Sequence, residues 1–205
     1  MEYSINTIKH VYLVRHGETD WNAQRLIQGH SDIPLNIRGI EQARRLAIRL
    51  KEIPITQVCS SDLQRAIHTA SAVADALGLP VCQHVELRER YYGDWEGKDF
   101  RSIREQYPDF DPWTDTESKY NIETYSDMQQ RGIACLTNIV RGSNAEHVLV
   151  VSHGGLINAV LHRMSNGLHG TGKTKLVNTS LSHIQYQEEM WIVHNVNDGT
   201  HLDGA

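Results

Sequence analysis

The sequence predicts an α/β fold, a three-layer α/β/α arrangement around a central, mostly parallel sheet. Three observations point there. Between His10 and Val85, short runs of β-branched and aliphatic residues alternate with stretches of helical periodicity, the pattern of βαβ units. A second buried-strand run, Val148-Leu-Val-Val151, leads into Ser152-His153-Gly154-Gly155 and then a helix, repeating the opening arrangement Val11-Tyr-Leu-Val-Arg-His-Gly17. The chain has 205 residues and is 40% hydrophobic, enough to bury one core, so the expectation is a single domain over 1–205.

The elements follow in order. Residues 1–9 read as a polar lead-in, and the first strand as His10–Val14. Asp20–Leu35 is polar and aperiodic, a loop that contains Trp21, Asn22, Arg25, Gln28 and Gly29. Loops of this length inside a compact domain usually serve function. Asn36 caps a helix over Ile37–Lys51, with Ile40, Ala43, Leu46, Ala47 and Leu50 on its inner face. A strand, Gln57–Ser60, precedes a second helix that ends near Leu77, with Ser61 and Asp62 as candidate caps. Its inner face is Ile67, Ala70, Val73, Ala74 and Leu77, and Gly78 and Pro80 stop it. Val81–Val85 is a third strand. Residues 86–97 mix charges, aromatics and two glycines without a period and read as a structured loop. A short helix at Asp99–Tyr107, a Pro- and acid-containing connection over 108–120 with Trp113, and a longer helix at Thr124–Arg141 follow. Together, 98–140 is expected as a helical excursion over the site. After Val148–Val151 and a helix to Met164, two small strands, Leu181–Tyr186 and Trp191–Val196, form a hairpin.

Composition narrows the function. Lys plus Arg is 20 against 25 acidic residues, a net charge of −5, which disfavours generic nucleic-acid binding. No apolar run reaches membrane-spanning length and no secretory signal is visible. The three cysteines, Cys59, Cys82 and Cys135, form no CxxC pair and read as reduced thiols of a cytoplasmic protein. With no HExxH and no Cys/His cluster in the sequence, neither metal nor cofactor is expected. A homodimer stays open.

The chemistry gathers at strand ends. His16 and His153 each follow a buried strand and precede glycine, and Arg15 adjoins the first. Parallel strands would carry both imidazoles to one edge of the sheet, where open α/β sheets bind ligands. Arg65 falls in the first turn of the helix after Ser60, where free N–H groups and partial positive charge favour an anion. Two arginines and two histidines there suit a dianionic tetrahedral group and point to phosphoryl transfer, with histidine able to act as nucleophile. An acid is also needed, and Glu86, Glu89, Asp94 and Glu96 are all candidates.

A resemblance makes this specific. Arg15-His16-Gly17-Glu18-Thr19 with Trp21-Asn22, Gln28-Gly29, Pro34-Leu35, Gly39 and Gln42-Ala43 is similar to the phosphatase branch of the histidine phosphatase, or phosphoglycerate mutase-like, superfamily. Ser60-Ser-Asp-Leu-Gln-Arg65-Ala66, Leu87-Arg-Glu89 with Gly93-Asp-Trp-Glu-Gly97, Val151-Ser-His153-Gly154-Gly155 and Asn178-Thr-Ser180-Leu181 match further motifs in the family's order. The resemblance implies that His16 becomes a phosphohistidine, and that Glu89 protonates the leaving oxygen and later activates water. It implies that Arg15, Arg65 and His153 hold the phosphoryl oxygens, helped by Asn22, Gln28 and the Gly154 amide. Asn121-Ile-Glu123-Thr124 replaces the family's Gly-Glu-Ser, and Arg90-Tyr91-Tyr92 is bulkier than is common there.

The expected activity is a metal-independent phosphomonoesterase acting on a small phosphorylated metabolite, with no nucleic-acid or membrane partner. The alternatives are a cofactor-dependent phosphoglycerate mutase and a phosphate-binding module without turnover. Gly167-Leu-His-Gly-Thr-Gly172-Lys173-Thr174 spells a P-loop, but it follows a helix instead of a strand, so it reads as a glycine-rich loop near the site.

Overall fold

The computed structural model describes residues 8–109 and 120–203. The first seven residues of the lead-in, and the part of the connection that holds Trp113, lie outside them. The described strands are β1 (Lys9–Arg15), β2 (Gln57–Ser61), β3 (Val81–His84), β4 (His147–Ser152), β5 (Leu181–Gln187) and β6 (Met190–Asp198). They form one sheet in the order β3-β2-β4-β1-β5-β6. β3, β2, β4 and β1 are mutually parallel, while β5 pairs antiparallel with β1 and β6 antiparallel with β5. The sheet is therefore mixed and mostly parallel.

Alternation along the central strands explains the layering, since successive side chains point to opposite faces. Val11, Leu13, Val148 and Val150 bury against α5 (Tyr125–Arg141) and α6 (Gly154–Met164), through Leu136, Leu156, Ile157 and Val160. Val14, Val58, Leu149 and Val151 bury on the other face against α2 (Ile37–Leu50) and α3 (Gln64–Leu77), through Leu46, Leu50, Ala70 and Val73. Among the described residues no helix is long and apolar enough to cross a membrane.

Several details differ from the sequence reading, each for a long-range reason. Ile40, expected inside, is 60% exposed. Gly39 and Gln42 take the inner face because α2 rests directly on the turn after β1. A Cβ on Gly17 would lie 2.6 Å from the Gly39 carbonyl oxygen, and one on Gly39 would lie 2.1 Å from that of Glu18. Ile67 is half-buried, and Arg65, Ala66 and Thr69 occupy the inner face of α3 beside Ala70, Val73 and Ala74. Neither Ser61 nor Asp62 caps α3. Asp62 pairs with Arg88, and Asp32, from the loop after β1, accepts from the Gln64 backbone N–H at 2.7 Å.

That loop is also less irregular than its sequence suggests. It opens with α1 (Asp20–Ala23), closed by a capping box between Thr19 and Asn22. Of the expected excursion, α5 belongs to the layer beside α6. Only α4 (Phe100–Gln106) and its neighbours stand apart, in a small cluster of Ile27, Trp95, Ile103 and Ile122. The β5–β6 hairpin turns on two residues, Glu188 and Glu189, both with positive φ, a geometry suited to a two-residue hairpin.

Candidate active site

Register builds the centre of the site. Arg15 and Ser152 are paired at the carboxyl ends of β1 and β4, and the His16 N–H donates to the Ser152 carbonyl at 2.9 Å. The residues just past these ends therefore meet, and the His16 and His153 rings lie 5.1 Å apart. Both are buried.

Hydrogen bonds define which nitrogen each ring presents. His16 Nδ1 lies 2.7 Å from its neighbour's carbonyl oxygen, on Gly17. A carbonyl only accepts, so Nδ1 carries the proton and Nε2 keeps its lone pair. His153 Nδ1 accepts from Arg65 Nε at 3.2 Å, so its proton sits on Nε2, which is buried with no partner among the described residues. Burial holds both imidazoles well below the ordinary 6.5, and Arg65 reinforces it in each, with Arg15 adding to the effect at His16. Both are neutral at pH 7.

The arginines are held from elsewhere in the chain. Arg65, expected near an anion, is fully buried. It donates from Nη1 to the Ser31 carbonyl at 2.7 Å and from Nη2 to the Gly29 carbonyl at 2.8 Å. Burial lowers it to about 10, so it stays charged. Arg15 donates from Nη1 to the Leu176 carbonyl at 2.6 Å, while its buried Nε has no partner among the described residues.

Glu89 is separated from its rivals by position. Its two oxygens accept from the Gly155 N–H at 2.8 Å, the Leu156 N–H at 3.1 Å and the Arg90 N–H at 2.9 Å. The carboxyl group thus rests on the N-terminus of α6. A Cβ on Gly155 would lie 2.4 Å from Glu89 Oε1, so the second glycine of Ser152-His-Gly-Gly155 is what admits it. Glu86 and Asp94 are exposed and off the cavity. Glu96 is consumed in clamping His30, Ser31 and Tyr92 through four hydrogen bonds.

These groups open onto a cavity of about 530 Å³ whose walls include Arg15, His16, Arg65, Glu89 and Gly154. Asn22 and Gln28 line it as well. Their amide oxygens accept from Thr19, and their NH₂ groups donate to no described residue. Of the eight site residues expected from the sequence, seven line this cavity, and His153 lies off its lining, with its ring 5.1 Å from that of His16 and its Nδ1 on Arg65. The structure adds others that the sequence did not single out. Arg25, Phe100, Asn158 and Lys175 line the outer part, with Thr171 and Thr174 from the glycine-rich loop. The hint available for the last two was that loop's odd composition. Arg131, in mid-helix, gave no signal, yet it donates to the Glu86, Arg88 and Glu89 carbonyls and pairs with Glu123 through both carboxylate oxygens.

The chain as a whole is similar to known proteins. A sequence model of the histidine phosphatase superfamily (branch 1) matches residues 11–199. The chain is 37% identical over 194 residues to the uncharacterized phosphatase PhoE of Bacillus subtilis (strain 168), spanning 95% of this chain and 97% of that one. It is 36% identical over 207 residues to the probable phosphoglycerate mutase GpmB of Yersinia pestis (strain Pestoides F), spanning 94% of each. The structure of Bacillus stearothermophilus YhfR superposes with a TM-score of 0.87 at 30% identity, over 95% of this chain and 100% of that one.

Proposed function

The chain belongs to the histidine phosphatase superfamily, and from that premise we propose that it is a metal-independent phosphomonoesterase that hydrolyses small phosphorylated metabolites through a phosphohistidine on His16. One observation carries the reading. His16 Nε2 keeps a free lone pair, and two buried donors of the same site, Arg15 Nε and His153 Nε2, have no partner among the described residues. Leaving such a donor unsatisfied costs about 1–3 kcal/mol. A phosphoryl oxygen supplies the missing acceptor.

The steps we infer are these. The phosphoryl group enters with its oxygens on Arg15, Arg65 and His153, and the Asn22 and Gln28 amides and the Gly154 N–H add donors. His16 Nε2 attacks phosphorus, the P–N bond forms, and the P–O bond to the leaving group breaks. Glu89, in its acid form, gives a proton to the leaving oxygen. Water then attacks the phosphohistidine while Glu89 takes its proton, and the electron pair of the P–N bond returns to Nε2. Side-chain cations supply the charge stabilisation that a metal would otherwise provide.

Rapid acid-free quenching during turnover of a ³²P-labelled phosphomonoester tests the proposal. Base-stable, acid-labile label should appear on the wild type and be absent from His16→Ala. Label that survives in His16→Ala, or full loss of turnover in EDTA restored by magnesium, would overturn it. The relative named as a probable phosphoglycerate mutase supports a second reading, transfer of the phosphoryl group to a second hydroxyl acid. Adding 3-phosphoglycerate to the labelled enzyme separates the two. Hydrolysis yields inorganic phosphate, and transfer yields labelled bisphosphoglycerate.

A further inference from the structure

A second group of reactive side chains lies off the cavity, at the β3 edge of the sheet. His84 ends β3, Glu86 stands in the 3-10 turn that follows, Val85–Leu87, and Cys135 projects from α5. One ligand atom from each, an imidazole nitrogen, a carboxylate oxygen and a thiol sulfur, all lie within 4.8 Å of one another. Cys135 is a free, buried thiol, His84 is partly buried and Glu86 is exposed. None of the three side chains makes a hydrogen bond to any described residue, and none lines the catalytic cavity. A soft donor at the base with nitrogen and oxygen donors at the rim is the mixed set that zinc accepts.

We propose that His84, Glu86 and Cys135 form a binding site for a thiophilic divalent cation, zinc foremost, with water as the fourth ligand. Tetrahedral bonds of the usual zinc lengths place ligand atoms about 3.3–3.6 Å apart. The cluster therefore closes by about 1 Å on binding, a movement that the exposed Glu86 side chain and the rim-lying His84 supply by rotation. The Cys135 thiol loses its proton to solvent as the metal–sulfur bond forms.

The location gives the site a consequence. Glu86 precedes Glu89 by three residues, and Arg131, one helical turn before Cys135, already fastens the Glu86, Arg88 and Glu89 carbonyls to α5. A metal at Cys135 ties the same segment to the same helix a second time. Its role is structural, and the hydrolytic reaction proposed above does not depend on it.

Titration of the metal-stripped protein with Co²⁺, followed by displacement with Zn²⁺, tests this. The expected result is one Co²⁺ per chain, with tetrahedral visible bands and a thiolate-to-cobalt charge-transfer band, both erased by one equivalent of Zn²⁺. Cys135→Ser should lose the charge-transfer band, and Cys82→Ser, on the neighbouring part of β3, should keep it. His84→Ala and Glu86→Ala, both at the surface, should weaken binding more than about tenfold, and they keep the test open if Cys135→Ser does not fold. Zn²⁺ should raise the melting temperature of the wild type and not of His84→Ala. A charge-transfer band that persists in Cys135→Ser, octahedral bands alone, or undiminished affinity in both surface variants would overturn the proposal. Turnover of p-nitrophenyl phosphate by the stripped protein reads the catalytic site separately.

Discussion

Two groups of histidines sit at opposite ends of the same two strands. His10 is the second residue of β1 and His16 follows the strand's end, while His147 begins β4 and His153 follows its end. At the leading ends, His10 and His147 are strand partners whose rings stack at 4.8 Å, and His183 on β5 and His194 on β6 extend the stack. Their nitrogens are engaged locally: His10 Nδ1 with His183 Nε2 at 3.0 Å, His147 Nδ1 with the Tyr12 hydroxyl at 3.1 Å, His194 Nε2 with Gln185 Oε1 at 2.8 Å. At the trailing ends, His153 Nε2 has no partner among the described residues and His16 Nε2 is the ring's open nitrogen.

The difference teaches what marks a site. Burial lowers the proton affinity of His10 and His183 just as it does for His16 and His153, so a perturbed imidazole alone does not distinguish the ends. What does is strand direction. The trailing ends of parallel strands run into helix N-termini, which contribute partial positive charge and open N–H groups, and here also Arg15 and Arg65. The leading ends meet other histidines, with donor matched to acceptor.

The largest expected effect breaks this contrast directly. His16→Ala should lower turnover about a thousandfold or more, because no other group can form the covalent bond. His10→Ala, on the same strand, should leave turnover within about a factor of two, as a substitution remote from the chemistry. Comparable losses in steady-state assays of the two variants would dissolve the distinction.

Glu89→Gln comes next, with a loss of about 10²–10⁴-fold for an alkyl phosphate. With p-nitrophenyl phosphate the leaving phenolate needs no proton, so phosphorylation should persist while hydrolysis slows. A burst of nitrophenol and trapped phosphohistidine are the readout. Equal losses for both leaving groups, with no burst, would remove Glu89 from proton transfer.

A smaller effect sharpens the other end. His183 is pushed down to about 4 by burial, then by His194, His10 and His147. Between that value and the ordinary 6.5, the unfolded chain binds a proton that the native state does not. Stability is thus full above about pH 6.5 and falls as the pH drops toward 4. His10 shifts in the same direction. Urea midpoints at pH 7 and pH 5 should fall less in His183→Gln than in the wild type. His16 and His153 contribute to the fall equally in both proteins, so the difference between the two isolates the surface stack. An identical fall would show that His183 takes up its proton without cost to the fold.

The smallest effect is expected at Lys173, which is exposed in the glycine-rich loop after α6 and does not line the cavity. Lys173→Ala should change kcat/KM by less than about twofold, as for an ordinary surface substitution. A collapse would revive the P-loop reading.

Local information determined much of this protein. The runs Val11–Val14 and Val148–Val151, the histidine and glycine that follow each, and the periodicities of α2, α3 and α5 all depend on neighbours a few residues away, and such patterns are written in the chain. The ordered motifs carried the family and named His16 and Glu89. Tertiary structure decided what depends on partners far along the chain. Arg65 is buried because the Gly29 and Ser31 carbonyls and His153 receive its donors. Glu89 faces the cavity, and Glu96 does not, because one rests on α6 and the other clamps His30, Ser31 and Tyr92. Ile40 turns outward because α2 must approach Gly17, and α3 takes its cap from Asp32. His84, Glu86 and Cys135 meet only because α5 lies against the turn after β3. The physical reason is the same throughout. Periodicity constrains which face a residue occupies, whereas hydrogen-bond partners and convergent side chains are set by which strands become neighbours and which loops close over them.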